Sequence, residues 1–575
     1  MSPNSQEALS ILALDIGTAN TRALLFDVVE ENYHFIAAGI TPSTYEAPIS
    51  DISSGVLDAI KQLQEITGRI LVNQKSNLII PSQAGGEGVD RLFLTYSAGS
   101  QLKIATFGLM NDISLQSINK LAATLNGKIV QSISINDHRT IHDQIDETLI
   151  SRPDLILFAG GTDRGATRSV KKMANLIAAI VQLFPQEQRP PVIYSGNQLL
   201  VKPIKEILEP FTKVTSTVNV RPEMDNEELD QAAEELSTTV TQIRLKQIGG
   251  LAHLTPICSD APCPSAIAIG RIVRFLSKMG DPEKGILAID LGAGSTSTAS
   301  AFAGKLELNV LPFGSAHGFE NFLKFVQFND IAQWFPPEIQ IEDARDQLWQ
   351  KTLFPGSLPV TQEGLIVEQA AVRQMLRTIM RELAIRGALV ANGYESIILS
   401  GSALTQLGSP AQLLLMILDG LQPKGISTII LDSHAIIPAL GAAARIIPIM
   451  PVQVLETTTF TNLATVISVV SSARTGTSIL QARLVSSDKK AQTIEVKQGN
   501  IIRLPLKIGE TATLELQTTH DTQIEALELS EASYKVKGGL CGLVIDARGR
   551  PLKLPANITQ RGELINGWYT AISKG

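Results

Sequence analysis

The chain has 575 residues, too many for one hydrophobic core, and at ~150 residues per domain we expect about three or four domains. It carries 49 Lys and Arg against 56 Asp and Glu, a net charge of −7, and this balance argues against a nucleic-acid-binding protein, which usually carries a basic surface. Hydrophobic residues make up 44% and charged residues 18%. This composition excludes intrinsic disorder, because the chain can bury enough apolar surface to offset the entropy of ordering.

The cysteines and the apolar segments indicate a cytoplasmic protein without a membrane span. Only three cysteines occur, which fits a reducing compartment, and without a C-x-x-C pair we expect no zinc site. The N-terminus lacks the basic-then-apolar layout of a signal peptide. The most apolar stretch, residues 435–454, contains three prolines and an arginine. It therefore predicts a buried helix followed by a loop.

The first elements are predicted to form a β-hairpin. The apolar runs Ile11–Asp15 and Thr21–Asp27 flank a short turn that contains Gly, Thr and Asn, a pattern typical of two paired strands. Helical spacing of apolar residues predicts a helix over Gly55–Thr67, and a strand is expected around residues 77–80. We assign residues 1–81 to the first part of one lobe.

Strands and helices alternate between about residues 82 and 251. This pattern, with continuously apolar strands, predicts a doubly wound, Rossmann-like α/β domain with a parallel sheet, inserted into the first lobe. The predicted strands are Ile104–Leu109, Lys128–Ile133, Asp154–Ala159 and Pro191–Ser195, and the predicted helices are Leu115–Leu125, Thr140–Ile150, Ala166–Phe184 and Gln198–Leu208.

The hairpin pattern returns at Gly285–Asp290, where an apolar strand ends in Asp and a Gly-rich turn and a second strand follow. The two copies align without a gap, so the internal repeat predicts two similar lobes. A long helix is expected over Val367–Ala391, with Asn392-Gly393 as its C-cap. The strand Ser396–Leu399 then leads into a third Gly-containing turn. We assign residues 252–452 to this part of the lobes.

Short strands with frequent turns follow residue 453 and predict a β-rich C-terminal sandwich or barrel over residues 453–575. Its strand candidates are Ile494–Val496, Ile501–Leu504 and Thr513–Leu516. The loop Asp546–Arg550 mixes charged residues with Gly, and we expect an interdomain ion pair there, with partner docking as the alternative. The predicted fold class is thus α/β, with two similar lobes, an inserted α/β domain and a C-terminal β-rich domain.

An Asp at a strand end before a Gly-rich turn is suited to phosphate chemistry. Glycine lets backbone N–H groups approach phosphoryl oxygens, and the carboxylate can hold Mg²⁺, usually through water. Either hairpin alone is also an ordinary β-hairpin, but two of them could clamp a triphosphate from both sides. The candidate catalytic and metal-binding residues are Asp15 and Asp290, and the candidate phosphate-binding residues are Gly17, Thr18, Asn20, Arg22, Gly292, Gly294, Ser295 and Thr296.

These two hairpins and the turn Ser400-Gly401-Ser402 resemble the actin, heat-shock-chaperone and sugar-kinase superfamily of ATPases. Further motifs over Ile11–Ala444 resemble the glutamate-mutase-associated MutL family, which is distinct from the DNA mismatch-repair protein of that name. These motifs are Ser82–Gly86, Leu157–Asp163, Tyr194–Asn197, Asn219–Pro222 and Pro262–Ile267. The resemblance implies an actin-like, duplicated ribonuclease-H-like fold that binds ATP and Mg²⁺. It also implies a role in maintaining or reactivating an adenosylcobalamin-dependent mutase.

The chain departs from the pattern of these relatives in two places. Many of them carry Asp where this sequence has Ser297, so hydrolysis is expected to be slow. The adenosine loop has Ser400-Gly401 rather than Gly-Gly, and the resemblance places Gly401, Ser402 and Ala403 beside the nucleoside. Arg22, where relatives often carry Lys, could either reach a phosphate or be a solvated strand residue.

A second ligand site is possible at Gly160, Gly161, Thr162 and Asp163, because this turn follows a parallel strand at a sheet's carboxyl edge. The alternative is a loop whose Asp163 or Thr162 caps the next helix. Ser195–Asn197 has the same ambiguity, with a structural role favoured.

Three functions remain open on the sequence. One is a slow ATPase that couples ATP hydrolysis to the remodelling of a partner protein, a cobalamin-dependent mutase. The second is a scaffold that binds nucleotide without turnover and docks a partner or its own copies. The third is a small-molecule kinase with Asp290 as the base, although no sugar-site pattern is visible.

Overall fold

The computed structural model describes residues 9–486, 491–519, 522–524 and 531–573. The described chain separates into two compact units. The first unit comprises the residues up to Ile269, Leu308–Pro312 and Pro438–Pro448, and the second comprises Gly270–Glu307, Phe313–Ile437 and the residues from Ile449 onward. In the part of the chain that the structure describes, no helix is both long and apolar enough to cross a membrane.

The elements up to residue 279 include two sheets. They are β1 (Ile11–Ile16), β2 (Asn20–Val29), β3 (Asn32–Pro42), α1 (Ser53–Thr67), β4 (Arg91–Tyr96), β5 (Leu102–Gly108), α2 (Gln116–Ala122), β6 (Gly127–Ser134), α3 (Ile141–Ser151), β7 (Leu155–Phe158), α4 (Arg168–Gln182), β8 (Val192–Tyr194), α5 (Val201–Leu208), β9 (Val214–Ser216), α6 (Asp230–Gln247), α7 (Leu251–Leu254), β10 (Cys263–Pro264) and α8 (Ser265–Met279).

The first sheet has the strand order β10-β4-β1-β2-β3. β1 and β2 form an antiparallel hairpin, and β1 and β4 run parallel, so the predicted hairpin is confirmed. Leu12, Leu14 and Ile16 of β1 share a buried core with α1, which confirms the predicted helix. The strand predicted at residues 77–80 is wrong, because the segment forms only an isolated bridge around a turn that Asn73 stabilises by accepting two backbone N–H groups.

The second sheet is entirely parallel, in the order β6-β5-β7-β8-β9. The strands and helices predicted between residues 104 and 208 are confirmed. The inner strands β5, β7 and β8 are nearly continuously apolar and buried, a pattern that is distinctive in sequence. β9 was not predicted. The core of this sheet contains Phe107, Phe158 and Tyr194 packed against Ile177 of α4.

The elements from residue 285 onward are β11 (Gly285–Leu291), β12 (Thr296–Phe302), β13 (Lys305–Leu311), α9 (Phe319–Phe322), α10 (Phe328–Ala332), α11 (Ile341–Leu353), α12 (Gln362–Ile385), β14 (Tyr394–Ser400), α13 (Ser402–Thr405), α14 (Pro410–Leu421), β15 (Gly425–Asp432), α15 (Ile436–Ala443), α16 (Ile449–Glu456), β16 (Thr461–Ser468), β17 (Val470–Ser471), β18 (Ser478–Ser486), β19 (Ala491–Lys497), β20 (Ile501–Leu504), β21 (Thr511–Thr518), β22 (Thr522–Gln523), β23 (Glu531–Lys537), β24 (Leu543–Asp546) and α17 (Ile558–Ser573).

An eight-stranded sheet, β13-β12-β11-β14-β15-β16-β24-β20, contains the second hairpin. The predicted β-rich character after residue 453 is present, but the predicted sandwich or barrel is not self-contained. β16 pairs antiparallel with β15 and runs parallel to β24, so the sheet continues across residue 453. This pairing satisfies the edge of β15, which would otherwise present unpaired backbone groups. β19-β18-β21-β23 form a separate antiparallel sheet. The domain boundaries themselves remain predictions.

Two predictions are corrected, the end of one helix and a segment predicted as a loop. α12 ends at Ile385 rather than Ala391, because Gly387 adopts a positive φ of 68° and the N–H of Ala388 bonds the carbonyl of Leu383 at 2.9 Å, as in a Schellman cap. The loop predicted at the end of residues 435–454 is instead a second helix, α16. Pro451 lies in its first turn, where a missing N–H breaks no helical bond.

A buried ion network centred on Arg548 joins elements of the second unit. Arg548 bonds Asp419 of α14 at 2.6 Å and Asp546 of β24 at 2.9 Å, and all three side chains are fully buried. Asp419 also bonds Arg373 of α12 at 3.0 Å. Burial alone would raise the pKa of Asp546, but Arg548 and Arg550 outweigh it and hold that pKa below its usual range. The loop therefore does form an ion pair, which joins elements of one compact unit. That the pair bridges two domains stays a prediction.

Replacing Arg548 by Met should destabilise the protein by about 3–5 kcal/mol, because two buried carboxylates lose their shared cation. The matched control is Arg483→Met, which breaks the exposed pair with Glu515 and should cost under about 1 kcal/mol. Chemical denaturation would measure both. Because the folded pKa of Asp546 is lowered, its stabilisation is present at neutral pH and lost as the pH falls below about 4. The difference between wild type and Arg548→Met should therefore shrink in acid, and equal losses for the two variants would contradict this role.

Candidate functional site

The turn of the first hairpin is closed by a hydrogen bond from the N–H of Gly17 to the carbonyl of Asn20 at 2.9 Å. A Cβ at position 17 would lie 2.8 Å from that oxygen, so the turn requires glycine. The carbonyl of Ala19 accepts from the N–H of Ser43 at 2.8 Å. The N–H groups of Thr18 and Ala19 meet no acceptor among the described residues. The turn therefore presents two backbone donors.

Asp15 is 4% exposed, and its carboxylate is already bonded on both oxygens. Oδ1 accepts from the hydroxyls of Thr95 at 2.8 Å and Ser265 at 3.0 Å. Oδ2 lies 3.2 Å from Nη1 of Arg22, the residue directly opposite Asp15 in the strand register. Arg22 is thus not a solvated strand residue, and its predicted contact with a phosphate stays a prediction. Arg22 neutralises Asp15.

The turn of the second hairpin, Gly292–Ser295, has a distinctive donor pattern. Its four backbone N–H groups meet no acceptor among the described residues. By contrast, the carbonyl of Gly292 accepts from Ser315 at 2.9 Å, and that of Ala293 accepts from Ala316 at 3.0 Å and Gly318 at 2.8 Å. Because two of its carbonyl groups are occupied and its four N–H groups are not, this turn is suited to an anion.

The loop Gly314–Gly318, which packs on this turn, was missed in the sequence. A Cβ at Gly314 would lie 2.5 Å from the carbonyl oxygen of Gly292, and one at Gly318 would lie 2.1 Å from that of Gly294. Only glycine allows this approach. The available signal was the pair of glycines four residues apart directly after the strand β13.

The third Gly-containing turn contacts the same hairpin. Ser400 donates to Oδ1 of Asp290 at 2.7 Å, its neighbour in the parallel register of β11 and β14. Gly401 has a φ of 100°, and a Cβ there would lie 2.2 Å from the carbonyl oxygen of Leu291. Ser402 and Ala403 begin α13. The structure thus brings together Asp290, the second turn and the predicted nucleoside-binding residues.

Two further residues of the second hairpin have clear surroundings. Thr296 is fully buried and donates to the carbonyl of Phe313 at 2.8 Å, which ties the hairpin to the segment that precedes the loop Gly314–Gly318. Ser297 lies opposite Asp290 in the register, the position that Arg22 occupies opposite Asp15 in the first hairpin. The two copies therefore differ at an equivalent position, where one has a cation and the other a small hydroxyl.

At the predicted second ligand site, Asp163 does not cap the following helix. α4 begins at Arg168, and its cap residue Thr167 makes no side-chain bond. Oδ1 of Asp163 accepts instead from the N–H of Gln198 at 3.1 Å and from Nδ2 of Asn219 at 2.8 Å. The capping alternative is therefore wrong for Asp163, which connects the loops after β7, β8 and β9.

Comparison with known proteins places this geometry in context. The model of the family described as MutL protein matches residues 11–459. Protein MutL of Clostridium tetanomorphum is 25% identical over 303 residues, which are 51% of this chain and 58% of that protein, so the match spans little more than half of the relative's length.

Among solved structures, nucleotide-free acetone carboxylase has a TM-score of 0.35 at 12% identity, covering 85% of this chain and 81% of its own. Xylulose kinase from Bifidobacterium adolescentis has a TM-score of 0.29 at 11% identity, covering 76% and 92%.

Proposed function

The chain belongs to the MutL family, and on this premise we propose that it is a Mg-ATP-binding, actin-like ATPase that serves as an accessory or reactivating factor of an adenosylcobalamin-dependent mutase. The proposal that the protein binds a nucleotide rests on the turn Gly292–Ser295. Its four backbone N–H groups meet no acceptor in the described chain. Convergent backbone donors bind phosphoryl oxygens without needing a charged side chain. The proposed partner, a cobalamin-dependent mutase, rests on family membership.

The first hairpin offers backbone donors of its own for a phosphate group. Its turn offers the N–H groups of Thr18 and Ala19, with the side chains of Thr18 and Asn20 at the turn and partly exposed. The ion pair of Asp15 with Arg22 fixes the strands beneath the turn. Asp15 therefore has a positioning role here.

Asp290 lies at the turn Gly292–Ser295, and the hydroxyl of Ser400 donates to its carboxylate. The carboxylate of Asp15 accepts from Thr95 and Ser265 and pairs with Arg22. We propose Asp290 as the carboxylate that holds Mg²⁺, directly or through water. When bound, the ion would neutralise charge on the phosphates.

Hydrolysis is expected to be slow, because Ser297 stands beside Asp290 where a second carboxylate would help to position water. This same residue favours the second candidate function, a scaffold that binds nucleotide and docks a partner without turnover. The two candidates share the nucleotide site and differ only in turnover.

Calorimetry should show that the wild type binds Mg-ATP with micromolar-range affinity. Asp290→Asn should weaken binding about tenfold or more, because it removes the charge that holds the metal. Asp346→Asn, which removes the same charge from an exposed position of α11, should bind like the wild type. No ATP binding by the wild type would contradict both candidate functions.

Steady-state ATP turnover should rise in Ser297→Asp. It should not rise in Ser297→Asn, because Asn has the shape of Asp without its charge. Because the register places the new carboxylate beside Asp290, the gain should require Mg²⁺ to offset the repulsion of like charges. A wild type without turnover and no gain in Ser297→Asp would leave the scaffold as the function.

The proposed partnership predicts that this protein restores the activity of an inactivated mutase. A cobalamin-dependent mutase from the same organism, inactivated by prolonged turnover, should regain activity when this protein, Mg-ATP and fresh cofactor are added. The Asp290→Asn variant should give less recovery at equal ATP, and Asp346→Asn should match the wild type. Equal recovery with and without the wild-type protein would rule out reactivation while leaving nucleotide binding intact.

A further inference from the structure

The parallel sheet β6-β5-β7-β8-β9 has a topological switch point at its carboxyl edge. In this sheet β5, the first strand in sequence, lies between the second, β6, and the third, β7. The connections that follow β5 and β7 therefore leave toward opposite sides. Such a switch point is where parallel α/β sheets bind ligands. The loops after β5 and β7 meet there, since a Cβ at Gly160 would lie 3.2 Å from Cγ of Leu109.

The loop after β7 repeats the donor pattern of the turn Gly292–Ser295. The carbonyl of Gly160 accepts from the N–H of Asn197 at 3.1 Å, and that of Gly161 accepts from Nδ2 of Asn219 at 3.1 Å. The N–H groups of Gly160, Gly161 and Thr162 meet no acceptor among the described residues. Gly161 has a φ of 73°, which a side chain would strain.

Asn197 supplies a buried donor beside this loop. The residue is 1% exposed, and its Nδ2 has no hydrogen-bond partner in the described chain. Its Oδ1 accepts from the N–H of Leu199 at 3.0 Å, which fixes Nδ2 as the free end of the amide. Its Cβ lies 3.6 Å from the position of a Cβ on Gly161. An unsatisfied buried amide is costly, so a ligand acceptor would stabilise this arrangement.

The charges around the loop favour an anion. The first turn of α4 contains no acidic residue, and no side chain caps it, so its N-terminal N–H groups and the helix dipole attract negative charge. Arg164 and Arg168 are exposed at the loop and the helix start. The carboxylate of Asp163 is held by Gln198 and Asn219.

We propose that the loop Gly160–Arg168, with Nδ2 of Asn197, binds the phosphate group of a phosphorylated small molecule. The donors comprise three loop N–H groups, one amide, the first turn of a helix and two arginines. The two oxygens of a carboxylate would not use all of these donors, which favours a phosphate group. This site is separate from the two hairpins and does not depend on ATP binding there.

Hydrogen–deuterium exchange of the full chain tests the proposal, with millimolar inorganic phosphate as the probe and chloride at matched ionic strength as the reference. Phosphate should slow exchange of the amides at 160–170 in the wild type. Asn197→Asp keeps the acceptor for Leu199 but replaces the donor by a charged oxygen, and it should weaken this protection about tenfold or more. Asn175→Asp, which adds the same charge farther along α4, should keep the protection.

An independent variant covers the case in which Asn197→Asp fails to fold. Arg168→Glu changes an exposed residue and should also weaken the protection, with unchanged thermal unfolding. Ribose 5-phosphate used as a second probe distinguishes the sources, because protection at lower concentration than inorganic phosphate assigns the site to a phosphate monoester and the reverse assigns it to free phosphate. Wild type without protection by either probe, or equal protection in Asn197→Asp, would overturn the proposal.

Discussion

The guanidinium of Arg548 bonds two fully buried carboxylates, Asp419 and Asp546, and much of the second unit depends on this cation. Through Asp419 it reaches Arg373 of α12, and its guanidinium carbon lies 4.7 Å from the ring centre of Trp568 in α17. Without the cation, each carboxylate would be a buried charge at high cost. The long helix α12, the buried helix α14 and the C-terminal helix are therefore fixed to the sheet that carries the second hairpin.

The same structural principle recurs at two loops with no sequence similarity. At Gly292–Ser295 and at Gly160–Thr162, neighbouring segments occupy two of the carbonyl groups, while the N–H groups meet no acceptor among the described residues. In both places close contacts that only glycine permits bring the segments together. Backbone donors held in this way need no reorganisation when an anion binds, which is the condition for strong electrostatic recognition.

Local patterns predicted most of the elements but little of their long-range pairing. Both hairpins were predictable because an apolar strand, an Asp and a Gly-rich turn lie within a few residues. β9 was missed because Val214-Thr-Ser is short and mostly polar. The pairing of β15 with β16 was not predictable, since periodicity does not specify which distant edges meet.

In the site, the sequence predicted Asp290 and the turns but not their supports. Arg22 was expected to reach phosphate or solvent, and only the strand register places it against Asp15. Likewise, the role of Gly314 depends on a carbonyl that tertiary packing brings within reach.

The continuity of the eight-stranded sheet has a consequence for how this chain is divided in evolutionary terms. The family match ends at residue 459, whereas β16, which completes the edge of β15, begins at Thr461. The segment that matches the family is thus shorter than the sheet that it contributes to. The residues beyond the match supply β16 to this sheet and Arg548 to the buried carboxylate of Asp419, so the sheet and its ion network include them. Without these residues, this chain would leave the edge of β15 unpaired and the buried carboxylate of Asp419 without Arg548.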